Sequence, residues 1–261
     1  MRWCRGEDPI VAKPVATATS GGASVILALS ASPEAIAGHE TQVMKPVDKP
    51  GRRTNEPNPV IREFSRVAEQ YDRRWSFYVQ ATTRETMARL SIGVDDRVLD
   101  VGCGTGVLLY QIGQRYPQAR LAGVDPVAEM LGVARRRLPD GTDLRQGWVE
   151  HLPWDDSRFD VVVSCNMFHY IRQPLAALGE MARVLRPGGR LLITDWCDDY
   201  LACRVCDWYL RLFSPAHFKV YRRSECLNLL KQGGYPEASV EGYRISWLWG
   251  LMTATATKHA A

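Results

Sequence analysis

The 261 residues are 46% hydrophobic and 24% charged, with a formal net charge of +4. That is the balance of a globular domain with an apolar core, not of a low-complexity or collagen-like chain. Cations are scattered rather than blocked, so no nucleic-acid partner is expected, and no apolar run approaches the roughly 20 residues that cross a bilayer. The seven cysteines are odd in number and unevenly spaced, which reads as reduced, buried thiols of a cytoplasmic protein rather than a disulfide framework.

Residues 1–57 are rich in Ala, Ser, Thr, Pro and Gly and show little periodicity. They are expected to form a disordered extension, since such a stretch buries too little apolar surface to order itself. Val25 to Leu29 is too short for the core of an export signal, and Glu7 and Asp8 oppose one. Translation from Met44 is an alternative origin for this stretch.

One domain is expected over 58–261. Ile61, Phe64, Val67 and Ala68 recur at helical spacing within Val60 to Gln70, and a second helix is predicted over Tyr78 to Leu90. A short β-rich run, Arg97 to Val101, leads into glycines. Then follow a helix over Val107 to Tyr116, a strand over Leu121 to Val124 and a helix over Ala128 to Leu138. Its terminal Arg135, Arg136 and Arg137 suit the macrodipole. Phe159 to Cys165 is a nearly continuous apolar run, typical of a strand covered on both faces. Leu175 to Leu185 reads as a helix, Pro187-Gly188-Gly189 as a turn and Arg190 to Thr194 as a strand. Helices over Tyr200 to Phe213 and Arg222 to Gln232, then two strand-like segments within 238–257, complete the chain. Alternating strands and helices imply an α/β fold with a parallel, doubly wound sheet and right-handed crossovers.

Val98-Leu99-Asp100-Val101-Gly102-Cys103-Gly104-Thr105-Gly106 stands where a strand meets a helix. Glycines there let the backbone turn tightly and approach a ligand. The Gly-x-Gly-x-Gly spacing differs from the Gly-x-Gly-x-x-Gly of dinucleotide folds, and Asp100 directly before it suits a ligand with a cationic amine. Asp125, in Gly123-Val124-Asp125-Pro126, closes the next strand about 20 residues on, where an acid accepts ribose hydroxyls. Two further blocks are Gly147-Trp148-Val149-Glu150-His151-Leu152-Pro153-Trp154 and Arg183-Val184-Leu185-Arg186-Pro187-Gly188-Gly189-Arg190.

In this order and spacing the four blocks resemble the class I S-adenosylmethionine-dependent methyltransferases, and most of all the ubiquinone- and menaquinone-biosynthesis branch. The segment Phe64 to Trp75 is similar to the first helix of that branch. The resemblance implies a Rossmann-like, mostly parallel seven-stranded sheet flanked by helices, with an antiparallel C-terminal hairpin. It implies S-adenosyl-L-methionine as cofactor and a small-molecule acceptor. Gly102, Cys103, Gly104 and Gly106 would pass under the methionine and ribose portions, with Asp100 near the ammonium and Asp125 and Pro126 at the ribose. Met130 would pack on the adenine, Val149 would meet its edge, Asn166 would lie beside the methionine portion and Tyr71 would close over it. Relatives often carry Asp where Trp148 stands. Trp cannot accept a hydrogen bond, so either Trp148 shields the adenine or Glu150 replaces the contact.

His169 and His217 are the candidate general bases, each with a hydrogen-bonded structural role as the plainer reading. Asp195, Asp198 and Asp199 follow a strand at the carboxyl edge. Cys203 and Cys206 lack a second pair, so no metal is expected. The aromatic C-terminal half hints at an apolar or aromatic acceptor. Rival readings are a macromolecular methyltransferase and a non-catalytic cofactor-binding protein.

Overall fold

The computed structural model describes residues 58–247 and 249–259. The expected N-terminal extension therefore lies outside the described residues. Helix α1 (Pro59–Val67) begins on the Asn58 side chain, which accepts from the Val60 amide, with Pro59 at the first helical position. A 3₁₀ turn (Ala68–Gln70) and the short α2 (Tyr71–Arg74) lead into α3 (Ser76–Arg89). The alternating part follows: β1 (Arg97–Val101), α4 (Val107–Arg115), β2 (Arg120–Asp125), α5 (Ala128–Arg137), β3 (Asp143–Gln146), β4 (Phe159–Cys165), α6 (Pro174–Val184) and β5 (Leu185–Trp196). It ends with α7 (Leu201–Phe213), α8 (Arg223–Gln232), β6 (Ser239–Arg244) and β7 (Gly250–Thr257).

The seven strands lie in the order β3-β2-β1-β4-β5-β7-β6. β1 to β5 are parallel, and β7 runs antiparallel between β5 and β6. This is the mostly parallel sheet with an antiparallel C-terminal hairpin that the resemblance implies. The central strands are buried on both faces, β4 throughout most of its length, which is why they read as apolar runs rather than alternations. Leu99, Val101, Val162, Leu191 and Ile193 build the core of one face with α6 and α8; Val98, Val161, Val163 and Leu192 build that of the other.

Two local features depart from the sequence reading. β3 has no apolar pattern, because it is a short edge strand whose side chains are half-buried or exposed. Pro187-Gly188-Gly189 is drawn into β5 as an irregularity: Phe159 pairs with Leu185 and Val161 with Arg190. Here Gly188 donates to Lys258 and Lys258 to Gly189, so the sheet edge supplies the partners that a free turn would lack.

The winding direction reverses between β1 and β4. At such a switch point the crossovers leave to opposite faces and open a crevice at the carboxyl ends of the strands. The glycine turn after β1, the Asp125 end of β2 and the Asn166 end of β4 all meet there.

Candidate cofactor and active site

The turn after β1 is held to β2 by its own backbone: the Gly102 and Cys103 amides both donate to the Val124 carbonyl, at 2.8 and 3.0 Å. Two of its glycines serve different purposes. Gly104 has φ +51°, and a Cβ there would meet nothing within 4 Å, so the turn leaves open space at the crevice. Gly106 has φ +78°, and a Cβ would stand 3.0 Å from Leu138 and 3.1 Å from Ala134. It lets the start of α4 pack against α5, and it does not line the crevice. Cys103 does border the crevice, while its side chain packs with Leu109 and Leu131.

Asp125 joins both sides of the site. One carboxylate oxygen accepts from the Gly104 amide and the other from the Val127 amide, each at 2.9 Å. Burial raises its pKa to about 6 against these two bonds. Asp100 is buried more deeply, and its Oδ1 has no hydrogen-bond partner. Burial and the Asp125 charge push its carboxyl up to about 8. A buried acid beside a second acid is the environment that a ligand cation relieves. An orphaned carboxyl oxygen, a glycine turn without obstruction and a second acid engaged only by backbone amides fit an amino-acid nucleoside ligand.

Twelve of the residues singled out by sequence line a single cleft of about 1100 Å³: Tyr71, Asp100, Gly102, Cys103, Gly104, Asp125, Pro126, Met130, Trp148, Val149, Glu150 and Asn166. Its roof comes from α1 and α2. Phe64 meets Tyr71 and Tyr170 edge to face, with ring centroids 6.0 and 5.3 Å apart, while Met130 packs under the same segment. Asp72 clasps this roof to the glycine turn. It accepts from the Thr105 hydroxyl at 2.7 Å and pairs with Arg137, which also donates to the Thr105 carbonyl.

The loop bearing Trp148, Val149 and Glu150 is moored by the Gly147 amide on the Asp125 carbonyl and, further along, by Arg183. Arg183 donates to the Leu152 and Trp154 carbonyls and pairs with Glu180 and Asp156. Trp148 remains 39% exposed and also lines a neighbouring cleft of about 800 Å³ with Glu150, His151, Arg172 and Ala216.

Asn166 carries φ +59°, a strained conformation that its surroundings impose. Its amide donates to Thr194, its Oδ1 accepts from Tyr78 at 2.6 Å, and its Nδ2 donates to Thr82 at 2.7 Å. Trp196 donates to the same Tyr78 hydroxyl. The side chain of Asn166 is thus used within the protein.

His169 and His217 lie behind the cleft wall rather than on it. His169 Nδ1 bonds Asp195 at 2.7 Å, its amide donates to the same carboxylate, and its ring stacks on Trp196. His217 Nε2 bonds Asp207 at 2.8 Å, while burial lowers its pKa. Burial raises the pKa of Tyr71, Tyr170 and Cys165, so none offers an anionic nucleophile to the cleft. A cleft that holds a buried acid pair and keeps Tyr71, Tyr170 and Cys165 protonated suits chemistry in which a ligand brings the reactive group.

Residues 99–193 match the methyltransferase domain family. Over 204 residues the chain is 32% identical to a demethylmenaquinone methyltransferase of Thermotoga maritima, covering 72% of this chain and 89% of that one. The chain belongs to the class I S-adenosylmethionine-dependent methyltransferases. An uncharacterized methyltransferase of Mycobacterium tuberculosis is 44% identical over 106 residues, 40% of this chain; the chain spans only 42% of the length of that relative. The fold is shared with the solved structure of another Thermotoga maritima S-adenosylmethionine-dependent methyltransferase, at TM-score 0.63 and 20% identity, over 76% of this chain and 99% of that one. The cofactor of the family is S-adenosylmethionine, and the Asp100–Asp125 pair over the glycine turn fits it.

Tyr78, Asp72, Arg137 and Phe64 were not singled out for the site by sequence. Phe64 and Asp72 belong to the α1–α2 segment that resembled the family; Tyr78 and Arg137 carry no local signal, because their partners lie 88 and 32 residues away.

Proposed function

We propose that this methyltransferase moves the methyl group of S-adenosylmethionine to a small aromatic or quinol-like acceptor with an O, N, C or S nucleophile. The observation that carries the reading is the unpartnered Asp100 Oδ1 beside an open glycine turn. Asp100 would take the ammonium of the cofactor, Asp125 the ribose hydroxyls, and Trp148, Val149 and Glu150 the adenine side. When bound, S-adenosylmethionine supplies an already activated methyl group. The chain's own contribution is then alignment and exclusion of water.

Val60, Phe64, Tyr71, Tyr170 and Ile171 form the apolar wall of the cleft. Such a wall favours a flat, apolar acceptor, in keeping with the name of the Thermotoga maritima relative. His169 and His217 enter this reading as positioning groups. The His169 carbonyl accepts from the Phe218 and Lys219 amides, and its bond to Asp195 fixes the segment that carries Tyr170. Transfer of labelled methyl from S-adenosylmethionine to a panel of hydroquinones, phenols and amines tests the proposal. Turnover of an aromatic acceptor, lost in Asp100→Ala, supports it. Tight cofactor binding with no transfer to any acceptor would overturn it in favour of a binding protein.

A further inference from the structure

The outer face of α7 is apolar and uncovered among the described residues. Leu201, Val205, Trp208 and Leu212 recur at spacings of four, three and four, which places them on one side of the helix. Phe213 widens the strip at its end. Trp247 is also exposed, in the β6–β7 connection that precedes Gly250, whose carbonyl Cys203 of α7 bonds at 3.2 Å. These six side chains are 58–77% exposed. The five on α7 are clustered rather than singly scattered, and a clustered exposed apolar patch marks an interaction site.

The exposed charges that α7 itself carries have one sign. Arg204 and Arg211 are the exposed charges on α7, both on the same flank. The acid of the helix, Asp207, is turned inward to His217, the Val220 amide and Arg211. Asp198 and Asp199 are likewise engaged, Asp198 by Arg222 and at 3.8 Å by Arg204, Asp199 by Arg223, so Arg204 and Arg211 stand at the margin as the more exposed partners of ion pairs.

We infer that the α7 face docks the protein on an anionic phospholipid surface, with the helix lying in the interface plane. Trp, Phe and Leu on one face and arginine at its margin are the composition that such helices carry. A second copy of the chain fits less well, since an antiparallel two-fold pairing of α7 would bring Arg204 and Arg211 alongside their own counterparts. The docked face also adjoins the cleft. Beyond α7, Ser214 bonds Glu63 of the roof helix at 3.0 Å, and Ala216 lines the cleft next to the cofactor site. The inference concerns binding alone and holds whatever the acceptor is.

The test is co-sedimentation of the full chain with phosphatidylcholine vesicles, with and without about one-third phosphatidylglycerol. Binding is expected with the anionic vesicles and should weaken as salt is raised. The Trp208→Glu/Leu212→Glu variant should bind them about tenfold or more weakly, and Arg204→Glu/Arg211→Glu should lose the preference for anionic lipid. Trp247→Glu, on a separate segment, repeats the test if the helix variants fold poorly; titration with S-adenosylhomocysteine checks that each is folded. Absence of vesicle binding by the wild-type chain, or binding equal in all variants, overturns the inference. So does a wild-type dimer in analytical ultracentrifugation that Trp208→Glu/Leu212→Glu converts to monomer, since a second copy would then cover the face.

Discussion

With Asp100 as the proposed site of the ligand ammonium, cofactor binding should release a proton. The Asp100 carboxyl, pushed up to about 8 by burial and by Asp125, is mostly protonated at pH 7 in the free protein, whereas the ligand ammonium prefers the carboxylate. The ionised fraction rises from about 1% at pH 6 to about 50% at pH 8, so affinity should climb about 50-fold over that range, or about 2 kcal/mol. Asp125, at about 6, adds about twofold over the same range. The sign for stability is opposite. The folded pKa lies above the unfolded value of about 3.9, so the folded state holds the extra proton, and the stability this gives is complete below about pH 4 and lost as pH approaches 8. Calorimetric titration with S-adenosylhomocysteine at pH 6, 7 and 8, in phosphate and in Tris, reads both the affinity and the protons released. Close to one proton should leave at pH 7 in the wild type, and Asp100→Asn should abolish most of the slope. An affinity independent of pH from 6 to 8, or a slope that survives Asp100→Asn, would show that Asp100 does not receive the ammonium.

Gly106→Ala should lower unfolding free energy by about 2–3 kcal/mol in urea titrations, from left-handed strain plus crowding on α5; at Gly141, φ +93° with nothing nearby, the same change should cost about 1 kcal/mol. Tyr78→Phe removes the donor to Asn166 and the acceptor of Trp196, so stability should fall by about 1–3 kcal/mol and S-adenosylhomocysteine should bind more weakly; unchanged values for both would refute the positioning role. Arg137→Ala opens the clasp between α2 and the glycine turn, and cofactor affinity should drop by about 3–10-fold while the urea midpoint moves little, a split that matched titrations of ligand and denaturant resolve.

The parallel order of the sheet and the glycine turn after β1 were legible in the chain because both rest on local rules. Phe159 to Cys165 reads as a buried strand wherever it is placed, and a strand followed by Gly102, Gly104 and Gly106 turns tightly whatever surrounds it. β3 was not legible, since a short edge strand needs no apolar face. The histidines could be noticed by position but not given an orientation, because Asp195 lies 26 residues beyond His169 and Asp207 ten before His217. The sequence by itself determined which residue types gather at the carboxyl ends of β1, β2 and β4, since strand periodicity and the glycine turn specify that edge. Only the tertiary structure decided which polar atoms remain free there. Asn166 is consumed by Tyr78 and Thr82, Asp125 is shared with two amides, and Asp100 alone of these keeps an unpartnered oxygen. The physical reason is that hydrogen bonding and burial are set by neighbours distant in the chain, and they decide which carboxyl is left for a ligand.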